Sequence, residues 1–127
     1  MKVVQTNNAL TPAGHYSQAI VHDNLLYISG QLPINKETGD KVLGAIEEQT
    51  LCVLDNVKCI LAEVNSELDD VLKMVVYISD VTMWDAVNAV FAKYFGEHRP
   101  VRTIVPTRDL HYGFNIEVDC IAVTKNL

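Results

Sequence analysis

A chain of 127 residues, 49% hydrophobic and 20% charged, is long enough for one domain with a buried core, and residues 1–127 read as a single domain. Its net charge of −6 and pI near 5.0 disfavour nucleic acid or an anionic membrane as the main partner, because both draw positive surfaces. No apolar run reaches the roughly 18 residues of a membrane span, "MKVVQTNNAL" lacks the apolar stretch of a secretory signal, and three cysteines without CxxC spacing point to free thiols in a reducing compartment, by default the cytoplasm.

The first segment, "KVVQT", reads as a short strand. "YSQAIVHD" and "NLLYISGQL" read as two strands joined by a turn at Asp23-Asn24. Ser29-Gly30 interrupts the second of these, which signals a bulge or the close approach of a ligand or another backbone. "PINKETGDKV" is a polar loop. Residues 45–64 place Ile46, Thr50, Val53, Leu54, Val57, Ile60, Leu61 and Val64 on one stripe at helical spacing. Cys52 and Cys59, seven apart on that helix, read as packing residues.

"VLKMVVYIS", residues 71–79, is a strongly apolar strand. A second helix follows, with Asp80 or Thr82 as its cap, a stripe of Met83, Trp84, Val87, Val90, Phe91, Tyr94 and Phe95, and Gly96 as its stop. Residues 101–107 and 114–124 read as two closing strands around the loop "RDLHYG". This order implies an α+β sandwich with both helices on one face of a mixed sheet. Neither side of the last two strands is uniformly polar, so both sheet faces should be at least partly covered. Two helices can cover only one, and the other calls for a second copy in a closed, symmetric oligomer.

Arg102 and Glu117 stand among the apolar residues of those closing strands. Buried charges are costly unless paired, and pattern alone leaves two readings. They are a structural ion pair, or Arg102 clamps a substrate carboxylate through its planar fork while Glu117 handles a proton or orients a water. Tyr16 is a candidate pocket phenol or a core aromatic. The four histidines, His15, His22, His98 and His111, form no pair at metal-ligand spacing. GxSxG, P-loop, GxGxxG and CxxC motifs are absent, so no cofactor is expected.

"GHYSQA", "YISGQLP", "VNAVFAKYFGEHRPVRT" and "IEVDCIAV" together resemble the Rid family of reactive-intermediate deaminases, the YjgF-like proteins. The resemblance spans about residues 12 to 124. It is most specific at "PVRT…IEV", where Arg102 and Glu117 are fifteen apart. It implies a chorismate-mutase-like fold assembled as a homotrimer, with three sheets packed into a central barrel, helices outside, and sites in clefts between subunits.

The implied activity is hydrolysis of 2-aminoacrylate and related 2-imino acids to 2-keto acids and ammonia, without a cofactor. Carried over by position, Arg102 binds the substrate carboxylate, Glu117 positions water, and Tyr16, Ser29, Gly30 and Asn88 line the cleft. Ile104, in the same stretch, is also counted as substrate-binding. The pair Arg102 and Glu117 is then read as facing one common cleft.

Some positions depart from the family pattern. Ile104 stands where many members carry Cys, so a thiol there is not expected to take part. His15 replaces a common Pro, and Thr103 and Val118 are mild changes. The alternatives to an enzyme are a non-catalytic module that binds small carboxylates and an RNA-acting translation inhibitor. The acidic charge weighs against the last.

Overall fold

The computed structural model describes residues 1–125. In chain order it contains β1 (Lys2–Val4), β2 (Ala19–His22), β3 (Leu25–Gln31), α1 (Ile46–Glu63), β4 (Val71–Ile78), α2 (Trp84–Phe95), β5 (Val101–Pro106) and β6 (Ile116–Val123). Single 3₁₀ turns lie at Leu68–Asp70, Val81–Met83 and His111–Gly113. The expected elements are present, most of them trimmed by a residue or two. The largest trimming is at β2, which begins at Ala19 rather than Tyr16. Gln18 accounts for it: its side chain turns inward, accepts from the Thr6 N–H at 2.8 Å and donates to the Thr6 and Leu10 carbonyls.

The six strands form one sheet in the order β1-β2-β3-β6-β4-β5. All neighbours are antiparallel except β4 and β5. A parallel pair needs a crossover connection, and α2 supplies it. The β2–β3 hairpin turns on Asp23 and Asn24, whose φ values of 50° and 64° are the left-handed pair that a tight two-residue turn requires. β3 breaks register with β6 between Ile28 and Gln31, so the expected irregularity at Ser29-Gly30 is a real bulge.

Both helices pack on one face. Leu26 and Ile28 of β3, Met74, Val76 and Ile78 of β4, and Ile116, Val118, Cys120 and Ala122 of β6 are buried there. They meet Val53, Leu54, Val57, Ile60 and Leu61 of α1 and Val87, Phe91 and Phe95 of α2. Gly96 ends α2 at φ 66°, its N–H bonded to the Ala92 carbonyl, as the sequence suggested. Asp80 does cap, but it caps the 3₁₀ turn before α2, accepting from the Thr82 N–H and hydroxyl at 2.9 and 2.7 Å.

The opposite face has no layer over it in a single chain. Val75 and Tyr77 of β4 and Glu117, Asp119, Ile121 and Val123 of β6 are only half-buried there. Tyr27 is 43% exposed, and Val101, on the edge strand β5, is 65% exposed.

Strand register places the two charges on the sheet. β4 pairs Met74 with Arg102 and Tyr77 with Glu117. Positions an odd number apart on a strand face opposite sides. Within one chain, Arg102 therefore lies on the helix side and Glu117 on the uncovered side, and they share no cleft. Ile104 stands beside Val76 and packs against the core.

Candidate active site

Glu117 sits in a cavity of about 530 Å³ with Tyr16, Ser29, Gly30, Leu32, His111 and Asp119. The β3 bulge builds one wall. The Ser29 N–H donates to the Gln18 carbonyl at 3.1 Å and the Ser29 hydroxyl to the Ser17 carbonyl at 2.5 Å, which pins the bulge to the strand start. Gly30 gives Glu117 its place: a methyl group there would overlap Glu117 Oε2 and lie 3.1 Å from its Cδ. The glycine is needed for space, since the carboxylate rests directly on the backbone.

Three acidic or phenolic groups crowd the uncovered face. Burial pushes the Glu117 carboxyl above its ordinary value, the nearby Asp119 charge adds to this, and His111 opposes it. Asp119 is raised by burial as well, against the hydrogen bond from Tyr77 and the charge of Lys73. The Tyr77 hydroxyl donates to Asp119 Oδ2 at 3.2 Å, and burial followed by the Asp119 charge raises the phenol. Glu117 is thus a half-buried carboxylate that holds a proton more readily than one in water.

Arg102 faces a second cavity, of about 520 Å³, with Asn88, Phe91, Phe95, His98 and Arg99. Its Nη2 donates to Asn88 Oδ1 at 2.8 Å. The guanidinium carbon lies 5.1 Å from the Phe91 ring centre and 5.6 Å from that of Trp84, within cation–π range. Burial lowers its pKa, and an arginine stays charged at neutral pH even so. Among the described residues no ion pair involves Arg102 or Glu117. The structural-pair reading is therefore set aside within one chain. Arg102 is oriented by an amide and two rings, with donors left for an anion.

The structure thus groups Tyr16, Ser29, Gly30 and Glu117 around one cavity and Asn88 with Arg102 around the other. Ile104 lines neither. It is half-buried on the same side of β5 as Arg102 and packs against the core. Asp119, two positions after Glu117, was missed as a site residue although strand alternation puts it on the same side. Trp84 and Phe91 were read only as packing, yet with Asn88 they recur at helical spacing beneath Arg102.

His111 reaches the Glu117 cavity. It stacks on Tyr112 with ring centres 3.7 Å apart. Tyr112 has φ 60°, and the Lys41 ammonium sits 4.8 Å above its ring. Among the described residues no group of three or more His, Cys, Asp or Glu could hold a metal ion. The cysteines are free, and burial pushes Cys120 up to about 12, which leaves it a packing residue rather than a nucleophile. No helix among the described residues is long and apolar enough to cross a membrane.

A mixed sheet with two helices on one side defines the fold class. The family model described as endoribonuclease L-PSP matches residues 6–124. A RutC family protein of Pyrococcus horikoshii is 44% identical over 95% of this chain and 96% of its own. The protein MMF1, mitochondrial, of Saccharomyces cerevisiae is 40% identical over 97% of this chain and 84% of its own. Two solved structures superpose closely. YyfA of Yersinia pestis, of the conserved Rid protein family, has a TM-score of 0.93 and 37% identity, covering 97% of this chain and 98% of its own. TdcF of E. coli with bound serine has a TM-score of 0.92 and 29% identity, covering 98% and 100%. The chain belongs to the Rid family, also called YjgF or RutC.

Proposed function

We propose that the protein hydrolyses reactive 2-imino acids, formed from enamines such as 2-aminoacrylate, to 2-keto acids and ammonia, at sites shared between subunits of a homotrimer. One observation carries this reading: Arg102 and Glu117 lie on opposite faces of the same sheet, so a site that uses Arg102 for the carboxylate and Glu117 for the proton needs two chains. A second copy brings Arg102 of one chain to Glu117 of the next. The relative with bound serine supports a ligand with an amino-acid carboxylate.

Arg102 holds the substrate carboxylate through charge-assisted hydrogen bonds. The imine carbon of a protonated C=N is already electrophilic. A water held by Glu117 attacks it: the C–O bond forms, the C=N π pair moves to nitrogen, and the water proton passes to Glu117. Glu117 returns that proton to the amino nitrogen of the carbinolamine, the C–N bond breaks as C=O forms, and the hydroxyl proton passes to Glu117 and on to the departing ammonia. A carboxyl raised toward the working pH is a better proton carrier than an ordinary one. Positioning contributes up to roughly 7–11 kcal/mol in well-oriented systems. No resident cofactor is proposed, and the free thiols fit a reducing compartment such as the cytoplasm or, as for the yeast relative, a mitochondrion.

The test mixes Arg102→Ala and Glu117→Gln proteins, each inactive alone. After subunit exchange, every mixed ring regains one native site, and about a quarter of wild-type activity returns. No recovery in trimers shown to have exchanged would overturn the shared site. Full activity of Arg102→Ala alone would overturn the role of Arg102. The family model's description makes RNA cleavage the second reading. The net charge of −6 weighs against it, and RNA turnover that survives Glu117→Gln would place that activity elsewhere.

A further inference from the structure

Beside the Glu117 cavity lies another of about 350 Å³, and the two share Tyr16, Gly30, Leu32 and His111 as a common wall. Past that wall the lining turns apolar: Leu10, Pro12, Ala13, Ile34 and the ring of Tyr112. Nothing in the hydrolysis described above uses this space. We infer that it is the substrate's side-chain compartment, and that the protein prefers 2-imino acids with leucine-, methionine- or phenylalanine-sized apolar side chains over the alanine-sized one. This rests on reading the Glu117 cavity as the hydrolytic site.

The observations converge on a preformed compartment. Gln18 ties down the segment carrying Leu10 with hydrogen bonds of 2.8 to 3.2 Å. Asn56 donates to the carbonyls of Leu32 and Ile34, both at 3.1 Å. The far wall is the His111–Tyr112 stack under Lys41. Ordering these walls beforehand lowers the entropy lost when a ligand enters. Gln31, on the same lining, is 4% exposed, and its Oε1 has no hydrogen-bond partner among the described residues.

The geometry also sets the direction. A substrate with its reacting carbon at Glu117 can send its side chain past Tyr16 and His111. A methyl group would leave the compartment almost empty, whereas a branched or aromatic group would displace its water. One methylene in such a pocket is worth roughly 10–200-fold in specificity.

The test generates imines in situ from alanine, leucine and phenylalanine with an amino-acid oxidase and follows their loss with wild type and Ala13→Trp. Ala13 is an exposed loop residue outside the catalytic groups, and a tryptophan there fills the compartment. The expected result is that kcat/KM for the leucine and phenylalanine imines exceeds that for the alanine imine by about tenfold or more. Ala13→Trp should erase that ratio by lowering kcat/KM for the leucine and phenylalanine imines.

An alanine imine turned over as fast or faster by wild type would overturn the inference, as would a ratio untouched by Ala13→Trp. If no imine is accelerated, the hydrolase reading fails instead. Calorimetry with phenylpyruvate against pyruvate then decides the compartment: tighter phenylpyruvate binding that Ala13→Trp abolishes sustains it, and equal binding overturns it.

Discussion

Glu117 rests on Gly30 without an intervening side chain, so the carboxylate's position depends on an atom that is not there. Gly30→Ala puts a methyl group onto Glu117 Oε2. The carboxylate is the free end of a flexible side chain and swings away. The expected outcome is a loss of hydrolysis of about 10²-fold or more, the range for general acid–base groups, with a thermal midpoint close to wild type. A large drop in midpoint with activity retained would show that Gly30 serves folding instead.

Asp119 offers a second test. Its charge helps raise Glu117, and in the proposed hydrolysis Glu117 must be ionised to accept the water proton. Asp119→Asn should therefore move the acid limb of the pH–kcat/KM profile to lower pH. The same shifts set a sign for stability. Carboxyls raised on folding bind protons more tightly in the native state, so stability falls as pH rises through their range. Unfolding in urea across that range should show a flatter dependence in Asp119→Asn than in wild type. The Ser29-Gly30 break was legible as an irregularity. That Glu117 occupies it was not, because only the β3–β6 register brings the two together.

Among the elements, the helices and most strands announced themselves through their periodicity, and their placement follows from where the apolar rows lie. What stayed hidden were the buried amides that tie elements to loops. Gln18 cuts β2 short. Gln49 accepts from the Asn115 N–H at 2.9 Å just before β6. Asn56, on α1, holds the chain after β3. On a helical wheel Gln49 and Asn56 are polar residues near an apolar stripe, Gln18 is one polar position in an expected strand, and nothing local distinguishes a tether from a solvated side chain. Asn56→Leu keeps a similar volume but leaves the Leu32 and Ile34 carbonyls without their donor. It should cost about 1–3 kcal/mol by urea unfolding, and it should loosen the loop exchange of residues 32–34 in hydrogen–deuterium measurements. An unchanged midpoint would mean that water replaces the amide at no cost.

At the scale of the whole molecule, the alternation of residues 101–107 and 114–124 already implied a sheet face in need of a cover, and the single chain has such a face. Ile121 lies on it in the central strand β6, paired with Tyr27 on one side and Lys73 on the other. Ile121→Asp should give a folded monomer by light scattering, with native far-ultraviolet circular dichroism and no hydrolysis. An active monomer would count against the shared site. The opposite placement of Arg102 and Glu117 could not be read from either strand alone. It depends on β5 running parallel to β4 and β6 antiparallel, so that two separate registers are fixed against one strand.

That division has a consequence for how activity depends on amount. On this reading a lone chain carries parts of two sites and the whole of none. Dilution below the assembly constant acts as an inhibitor, and specific activity climbs with protein concentration before it levels. A defective chain does more than fail by itself. A subunit lacking both Arg102 and Glu117 disables the sites on each side of it, so a ring that takes up one such chain keeps a single working site. Loss of both side chains would therefore behave as a dominant trait in a cell making both forms, whereas loss of either one alone costs a single site per variant chain.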